Sequence, residues 1–511
     1  MERWLHTFPR PAGGQALVLA GYPAPYRVGM SNLGYHFLIR RLKESPILRL
    51  ERFFSDTAPR TLESGARISS ASVIFVSISY EEDYLNLVRI LRQAGVPPLR
   101  NERHTGPLII AGGPAPSANP YPLSDIVDCC VLGEGERSLD DIVGIIERGP
   151  RAGSETVLEA IAGLPAAFVP AVSVGAAYPP PVGPVDFPHS IVVTPKAVFP
   201  DTLLIEIGRG CPGSCTFCLA SVLYRPYRAM PVDDLEHLLD TITVLPATAG
   251  LVSTAVAAHP QFDRVMRACT ERGMRVALGS MRAEDLDDGK VELIGRAGTR
   301  SVSFAPESGG EQLRFHLGKH VPDETYLRAA RALRGAGVRN FKLYLLIGCP
   351  GETDRDLDET GVFIRAFSEA ARGCRVSVNV NVVVPKAWTP MQFHAMPSER
   401  ELGERMKRLK RICRGRGIAV RTKSVRSALR QAVLSVGDAR AGRAVVRYAE
   451  GGTSWKRALE EAGVNPAMPH ETRGLDGYLP WDAIAGPVNR KAIEQRYRLL
   501  VTPRRGPRNR T

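Results

Sequence analysis

Three cysteines fall within eight residues in Gly208-Arg-Gly-Cys-Pro-Gly-Ser-Cys-Thr-Phe-Cys218, so Cys211, Cys215 and Cys218 have the spacing C-x3-C-x2-C. The small residues between them let the chain curl until three thiolates converge. Cubane iron–sulfur clusters are held by Cys thiolates, normally four. Three protein ligands would leave one iron open, as a catalytic zinc site keeps an open position for its reactant. A structural zinc ion would want a fourth Cys or His at short spacing. The next ones along the chain are His237 and Cys269. The pattern therefore predicts a [4Fe–4S] cluster, with a zinc site or a chance spacing as the alternatives.

The elements around this loop follow a strand–helix rhythm. Over residues 201–395, apolar strands fit at 203–207, 250–253, 274–278, 301–305, 341–347 and 376–383, with helices between them, for example at 232–245, 324–336 and 355–371. Six β–α units with right-handed crossovers build a full or partial parallel barrel. Residues 1–147 show the same rhythm in four strands, at 15–20, 73–79, 108–111 and 126–132, with helices at 33–43, 83–94 and 139–147. Buried apolar strands alternating with helices predict a parallel sheet covered on both faces. Ligands bind at the carboxyl ends of such strands. Residues 148–200 are rich in Pro, Gly and Ala, including Tyr178-Pro-Pro-Pro-Val182, and read as a linker. Residues 396–511 carry a basic helix at about 398–416, a short strand near 418–422 and a further helical region.

The cysteine loop, with Phe217 before its last cysteine, follows the first strand of a β/α repeat and resembles the radical S-adenosylmethionine (SAM) superfamily. The later motifs Gly279-Ser-Met-Arg282, Phe304-Ala-Pro-Glu-Ser-Gly-Gly-Glu-Gln-Leu-Arg314, Lys342-Leu-Tyr-Leu-Leu-Ile-Gly-Cys-Pro-Gly-Glu-Thr353, Asn379-Val-Asn381 and Val384-Pro-Lys-Ala-Trp-Thr-Pro390 follow in the family's order. With Leu479-Pro-Trp-Asp-Ala-Ile484 near the end, they resemble the subgroup carrying an N-terminal cobalamin-binding-like domain. The resemblance spans nearly the whole chain. It implies an α/β protein with a Rossmann-like cobalamin-binding-like domain, a partial (β/α)6 TIM-type barrel and a small α-rich C-terminal part. It further implies that the open iron chelates the methionine part of SAM, and that an electron from the reduced cluster yields a 5′-deoxyadenosyl radical that abstracts hydrogen. Position by position, Ser280 and Arg282 would approach the SAM ribose or carboxylate. Glu307 would bind a ribose hydroxyl or the methionine ammonium. Gly348, Gly351 and Glu352 would form the adenine site. Arg225 and Arg228 would steady a carboxylate or form a surface ion pair.

In the first domain Ser77-x-Ser79, Gly112–Gly113 and Gly133-Glu-Gly-Glu136 resemble the cobalamin-binding pattern, although the same glycines are ordinary turn formers. No Asp-x-His-x-x-Gly is present to ligate cobalt. His36 is the nearest alternative, with a core or helix-surface position as its plainer reading. Two reactions stay open. With cobalamin, a methyl group would be delivered to a carbon. Without it, the chain would carry out a rearrangement, an oxidation or a carbon–carbon coupling. The other cysteines are too few and too scattered for a second cluster: Cys129 and Cys130 are adjacent on one strand, whose faces separate them, Cys349 lies in the proposed SAM loop, and the rest read as small buried hydrophobes.

The composition is that of an ordinary globular protein long enough for two or three domains. No signal-like start or membrane-length apolar run is present. The nine cysteines lack a disulfide-framework spacing, so a reducing cytoplasm is the expected compartment. The net charge of +14 is concentrated late, at Arg405, Lys407, Arg408, Lys410, Arg411, Arg414 and Arg416 and in the tail from Pro503 to Thr511. That charge permits a nucleic-acid partner without a motif to support one, and a solvated basic helix explains it as simply. Expected partners are an unidentified substrate and an electron donor such as flavodoxin or ferredoxin. An iron–sulfur electron carrier and an RNA-binding protein with a structural metal are the rival classes.

Overall fold

The computed structural model describes residues 1–9, 16–148, 154–172, 176–178, 186–415 and 417–502. Arg416, the tail from 503 and most of the Tyr178–Val182 run lie outside the described residues.

The first sheet has six strands in the order β2-β1-β3-β4-β5-β6, formed by Ala16–Tyr22 (β1), Leu48–Phe54 (β2), Val73–Ser77 (β3), Leu108–Gly112 (β4), Cys129–Val131 (β5) and Ala167–Phe168 (β6). All neighbours are parallel except β5 and β6. Helices α1 (Leu33–Glu44), α2 (Asp83–Gln93) and α3 (Leu139–Arg148) cover it. The sheet separates two apolar clusters, so adjacent Cys129 and Cys130 are buried in different ones. Strand order reverses between β1 and β3, and the carboxyl ends there open the crevice where doubly wound sheets bind ligands.

The sequence reading finds four of these six strands. It misses β2, whose Leu-Arg-Leu-Glu-Arg-Phe-Phe run carries three charges. Arg52 is nonetheless buried, held by Glu2 at 2.7 Å and Glu63 at 2.6 Å. The expected linker is also more structured than its composition suggests. It contributes helix Ser154–Ala162, β6, and Val192–Val193, which pairs with Arg3–Trp4.

The second unit is a curved parallel sheet made of β7 (Thr202–Glu206), β8 (Thr248–Val252), β9 (Arg275–Leu278), β10 (Ser280–Met281), β11 (Ser301–Glu307), β12 (Asn340–Ile347), β13 (Arg375–Val382) and β14 (Ile418–Thr422). The ladder runs β7-β8-β9, breaks at Gly279, and resumes β10-β11-β12-β13-β14. This is the expected partial barrel with two strands more, the short β10 beyond Gly279 and β14. Between the strands run α4 (Val232–Thr241), α5 (Phe262–Thr270), α6 (Asp288–Arg296), α7 (Asp323–Gly335) and α8 (Asp354–Ala370), and strand β14, assigned from sequence to the C-terminal region, pairs parallel to β13 through the crossover helix α9 (Glu399–Ile412). Alternate residues such as Phe341, Leu343, Val376 and Val378 pack under the helices in one continuous core. The remaining chain is mostly helical, with Val425–Val436, Ala439–Ala449, Trp455–Glu461 and Arg490–Val501. Trp481 of the late motif is buried, its Nε1 donating to Gln392 Oε1 at 3.2 Å. Among the described residues no helix is long and apolar enough to cross a membrane.

Candidate active site

The cysteine loop leaves β7 through a two-residue ladder, Gly208–Arg209 against Arg228–Ala229. Gly210 has φ +82, and a Cβ there would lie 2.1 Å from the Tyr224 carbonyl, so only glycine fits. The loop's carbonyls are bound from several directions. Thr254 Oγ1 donates to Gly210 O, Arg225 to Gly213 O at 2.7 Å, Ser221 Oγ to Cys218 O at 2.8 Å, and Arg496 of the last helix to Ser214 O. Thr216 N donates to Leu317 O at 3.0 Å. The backbone is thereby fixed and the thiols are left to bind.

All three thiols are free of disulfides and half-buried. They lie within electrostatic reach of one another, Cys211 acting on both Cys215 and Cys218. Burial pushes the Cys215 thiol up to about 12 and raises Cys218. Burial thus opposes charging Cys215 and Cys218, and a bound metal would deprotonate a coordinating thiol outright. Gly213 N–H donates to Cys211 Sγ at 3.3 Å, the kind of hydrogen bond that tunes a cluster sulfur. Among the described residues no three His, Cys, Asp or Glu side chains are disposed to share one metal ion. A cubane asks for something else, three thiolates on three separate irons, and this donor set fits it. Phe217 packs into the apolar cluster beneath the loop.

Glu307 ends β11 beside the loop, buried and at φ +66, a conformation that non-glycine residues rarely adopt. Its carboxylate pairs with Lys319 at 3.2 Å, and Lys319 also donates to Ala305 O. Burial raises the Glu307 carboxyl, with Lys319 pulling it back. Lys319, opposed by its own burial, is held charged by Glu307. Both act electrostatically on Cys215. Lys319 escapes the sequence reading because nothing in Gly318-Lys-His320 announces a partner 12 residues upstream.

The other assigned positions divide. Ser280 is exposed at the mouth. Arg282 reaches the field of Cys211, but its guanidinium is engaged by Glu284 at 2.7 Å. Glu352 is buried, accepts from Gly348 N at 2.7 Å and pairs with Arg405 at 2.7 Å. It braces the Gly348–Gly351 turn, where both glycines have positive φ, instead of presenting an unengaged edge to adenine. Arg225 braces the cysteine loop, as described above, and Arg228 pairs with Glu134 at 2.9 Å. Cys349 is fully buried in the core, and burial raises its thiol well above the ordinary range.

A cavity of about 700 Å³ lies between the two sheets. The first domain supplies Asn32, Ser77, Gly112, Gly113 and the Gly133–Glu136 turn, with apolar walls from Phe37, Phe75 and Ile110. The barrel supplies Glu206, Arg209, Gly210, Ser253 and Ser280. Ser79 stands behind this wall, bonded to Tyr22 at 3.1 Å and Asn32 at 3.0 Å. His36 is fully buried; its Nε2 donates to Met30 O and its Nδ1 accepts from Ile191 N, both at 3.2 Å. Neither nitrogen is left for cobalt, so the plainer reading of His36 holds. Sequence reasoning also missed Arg209, which joins the domains by meeting Glu136 at 2.6 Å, Glu206 at 2.6 Å and Glu134 at 3.7 Å.

These features define a doubly wound domain seated on a partial parallel barrel with a three-cysteine loop at its mouth. Residues 35–170 match the family of N-terminal domains of radical SAM proteins, and residues 205–364 match the radical SAM superfamily. The two matches together span more than half of the chain, which belongs to the radical SAM superfamily. A Methanocaldococcus jannaschii protein of uncharacterised function is 26% identical over 442 residues, 86% of this chain and 93% of that one. A Deinococcus radiodurans tRNA-2-methylthio-N(6)-dimethylallyladenosine synthase is 24% identical over 252 residues, 46% of this chain and 48% of that one. Among solved structures, the radical SAM methyltransferase TsrM of Kitasatospora setae aligns over 71% of this chain and 73% of its own, with 16% identity and TM-score 0.47. The cobalamin-dependent radical SAM enzyme OxsB aligns over 69% and 52%, with 15% identity and TM-score 0.47.

Proposed function

We propose that this chain is an enzyme that holds a [4Fe–4S] cluster on Cys211, Cys215 and Cys218, binds SAM against it, and abstracts hydrogen from a substrate in the barrel. The carrying observation is the cysteine loop itself, its backbone bonded on all sides, with three free thiols beside the Glu307–Lys319 pair. With SAM and one electron from a reduced donor, the cluster supplies a hydrogen-abstracting radical. The chain's own residues do the rest. Glu307 offers its carboxyl group to an ammonium or hydroxyl donor, and Lys319 pulls it toward the charged form against its burial. Phe217 anchors the loop on the apolar cluster beneath it.

The test is anaerobic reconstitution with iron, sulfide and SAM under a strong reductant, with product analysis. The expected result is 5′-deoxyadenosine, lost in each of the single variants Cys211→Ala, Cys215→Ala and Cys218→Ala. A reconstituted protein that takes up iron yet forms none would overturn the reading.

A second reading concerns the interdomain cavity. Its glycine-bordered floor and apolar walls suit a flat, largely apolar ring system such as a corrinoid, held by Asn32, Ser77, Gly112 and Gly113 without a protein ligand to cobalt. Bound there, cobalamin would supply a methyl group for transfer to carbon. Equilibration of the chain with hydroxocobalamin followed by gel filtration tests this. A co-eluting corrinoid spectrum is expected, and it should be lost in Gly112→Phe. Elution without corrinoid would sink the cobalamin reading and leave the radical chemistry standing.

A further inference from the structure

The interior of a closed β/α barrel is a packed core in which layers of side chains fill the centre. The corresponding face of this partial barrel is different. Residues of β12 and β13 alternate strictly. Phe341, Leu343, Leu345, Val376, Val378 and Val380 are buried under the helices, whereas Lys342 and Arg375 on the opposite, concave face are exposed, and Tyr344, Ser377, Asn379 and Asn381 are half-exposed. Strand β14 continues the pattern with exposed Arg421. Register fixes the neighbours. Ser303 lies opposite Lys342, and Lys342 opposite Ser377; Tyr344 lies opposite Asn379, and Asn379 opposite Arg421.

The charge on this face has one sign. Arg275, Lys342, Arg375, Arg421 and Lys423 are all exposed, and among the described residues none of the five is in an ion pair. Arg275 has only Thr248 Oγ1 at 3.4 Å, and Lys423 only the ring of Tyr80, 5.6 Å away. The carboxylates at the mouth are already engaged, Glu206 by Arg209 and Glu307 by Lys319. The more conspicuous basic helix α9 is partly neutralised instead: Arg405 pairs with Glu352 and Glu401, and Arg408 with Asp354 and Asp358. Neighbouring strands are about 4.8 Å apart, so the cations from Arg275 to Lys423 spread over roughly 20 Å. A single carboxylate or phosphate would engage one or two of them. A chain of phosphates would engage all five.

We propose that the concave face of the barrel binds a single-stranded nucleic-acid segment, its phosphates on Lys342, Arg375, Arg421, Lys423 and Arg275 and a base against Tyr344. Single-strand binders combine a basic groove with aromatic platforms, and the half-exposed Tyr344 beside Asn379 supplies one such platform. Ser280, at the mouth, lies level with Lys342 across Ser303, so a segment on this face would pass beside it. The proposal rests on the reading above only for the reaction that follows; binding needs neither SAM nor turnover.

The experiment is fluorescence anisotropy of the full-length, cluster-loaded chain with a labelled single-stranded oligoribonucleotide, across a salt series and without SAM. The double variant Lys342→Gln/Arg421→Gln is expected to weaken binding at least tenfold and to flatten the salt slope by about two phosphates' worth. Lys407→Gln/Lys410→Gln on the exposed face of α9 should leave binding unchanged. Tyr344→Ala should weaken binding of the oligonucleotide but not of inorganic polyphosphate. Absence of binding at low salt, or equal losses from the barrel and α9 pairs, would overturn the proposal. So would indifference of the oligonucleotide to Tyr344→Ala, which would reduce the face to a general polyanion surface. Lys342 and Arg421 are solvent-exposed and Tyr344 is half-exposed, and the conservative pair Lys342→Arg/Arg421→Lys should restore binding if the charge, and not the fold, was lost.

Discussion

Arg209→Gln isolates the interdomain charge cluster. The Arg209 side chain is 9% exposed, and the three carboxylates around it, Glu134, Glu136 and Glu206, are 11–17% exposed. At the 2.6 Å of the two short contacts and an effective dielectric near 20, each attraction is about 6 kcal/mol gross. Desolvation of both partners offsets most of it. Exposed pairs are worth about 0–1 kcal/mol, but removing one partner of a buried pair destabilises by roughly 3–5 kcal/mol, because the other charge stays buried and uncompensated. Burial decides in favour of the larger figure. Burial also raises the Glu136 carboxyl, against Arg209, which lowers it; without Arg209 it has only its own backbone to hold it down. The loss should therefore shrink at acidic pH, where Glu136 can take a proton. The assay is urea unfolding followed by circular dichroism at pH 8 and pH 5.5, on Arg209→Gln, Glu136→Gln and the double variant. The double variant should recover at least 1 kcal/mol of the Arg209→Gln loss at pH 8. A loss below 1 kcal/mol, or strict additivity of the two substitutions, would refute the idea that this arginine joins the domains.

Two further outcomes follow from buried geometry. Burial depresses His36 to about 4 and His189, packed against His6, to about 3. A histidine kept neutral in the folded state contributes stability that is present above its unfolded pKa of roughly 6.5 and is lost as pH falls. His36 alone should account for about 3 kcal/mol between pH 6.5 and pH 4, and His36→Gln should flatten that limb in a hydrogen-exchange titration of the first domain; an unchanged limb would show that His36 is solvated. Gly210→Ala drives a Cβ into the Tyr224 carbonyl at a backbone angle that costs an L-residue about 1–2 kcal/mol. Iron content of the variant after reconstitution should fall to a small fraction of wild type while the circular dichroism stays native, and full iron loading would show that the loop does not need this turn.

The barrel was legible because strand-length apolar runs recur between helical stretches, whether buried on consecutive residues as in β7 and β8 or on alternate ones as in β12 and β13. What stayed hidden was hidden by charge. Strand β2 reads as a loop until Glu2 and Glu63 are known to meet Arg52, since three charges in seven residues contradict a buried strand. Glu307 could be placed by its motif, but Lys319 could not, because an ion pair leaves no periodic trace. Arg209 looked like part of a glycine-rich curl, and Glu134 and Glu136 like turn residues. Their meaning depends on a contact between domains more than 70 positions apart in sequence. Glu352 reads from sequence as the edge of an adenine site and Arg405 as part of the basic surface of α9, whereas in the fold the two pair with each other.

The break in the barrel ladder joins the two proposed binding spaces. Gly279 interrupts the sheet, so that Ser280 both lines the interdomain cavity and lies opposite Ser303 in the ladder, which is in turn opposite Lys342 on the concave face. A group bound in the cavity and a chain bound along the barrel would therefore approach the cysteine loop from two sides and meet at one strand end. The charges sort in the same way. Carboxylates gather at the domain seam and are neutralised there by Arg209 and Arg228, whereas the unpaired cations lie in the barrel. An anionic chain would find unpaired cations in the barrel and none at the seam, where Arg209 and Arg228 are already engaged, so the cavity would suit a ligand recognised by shape and apolar contact.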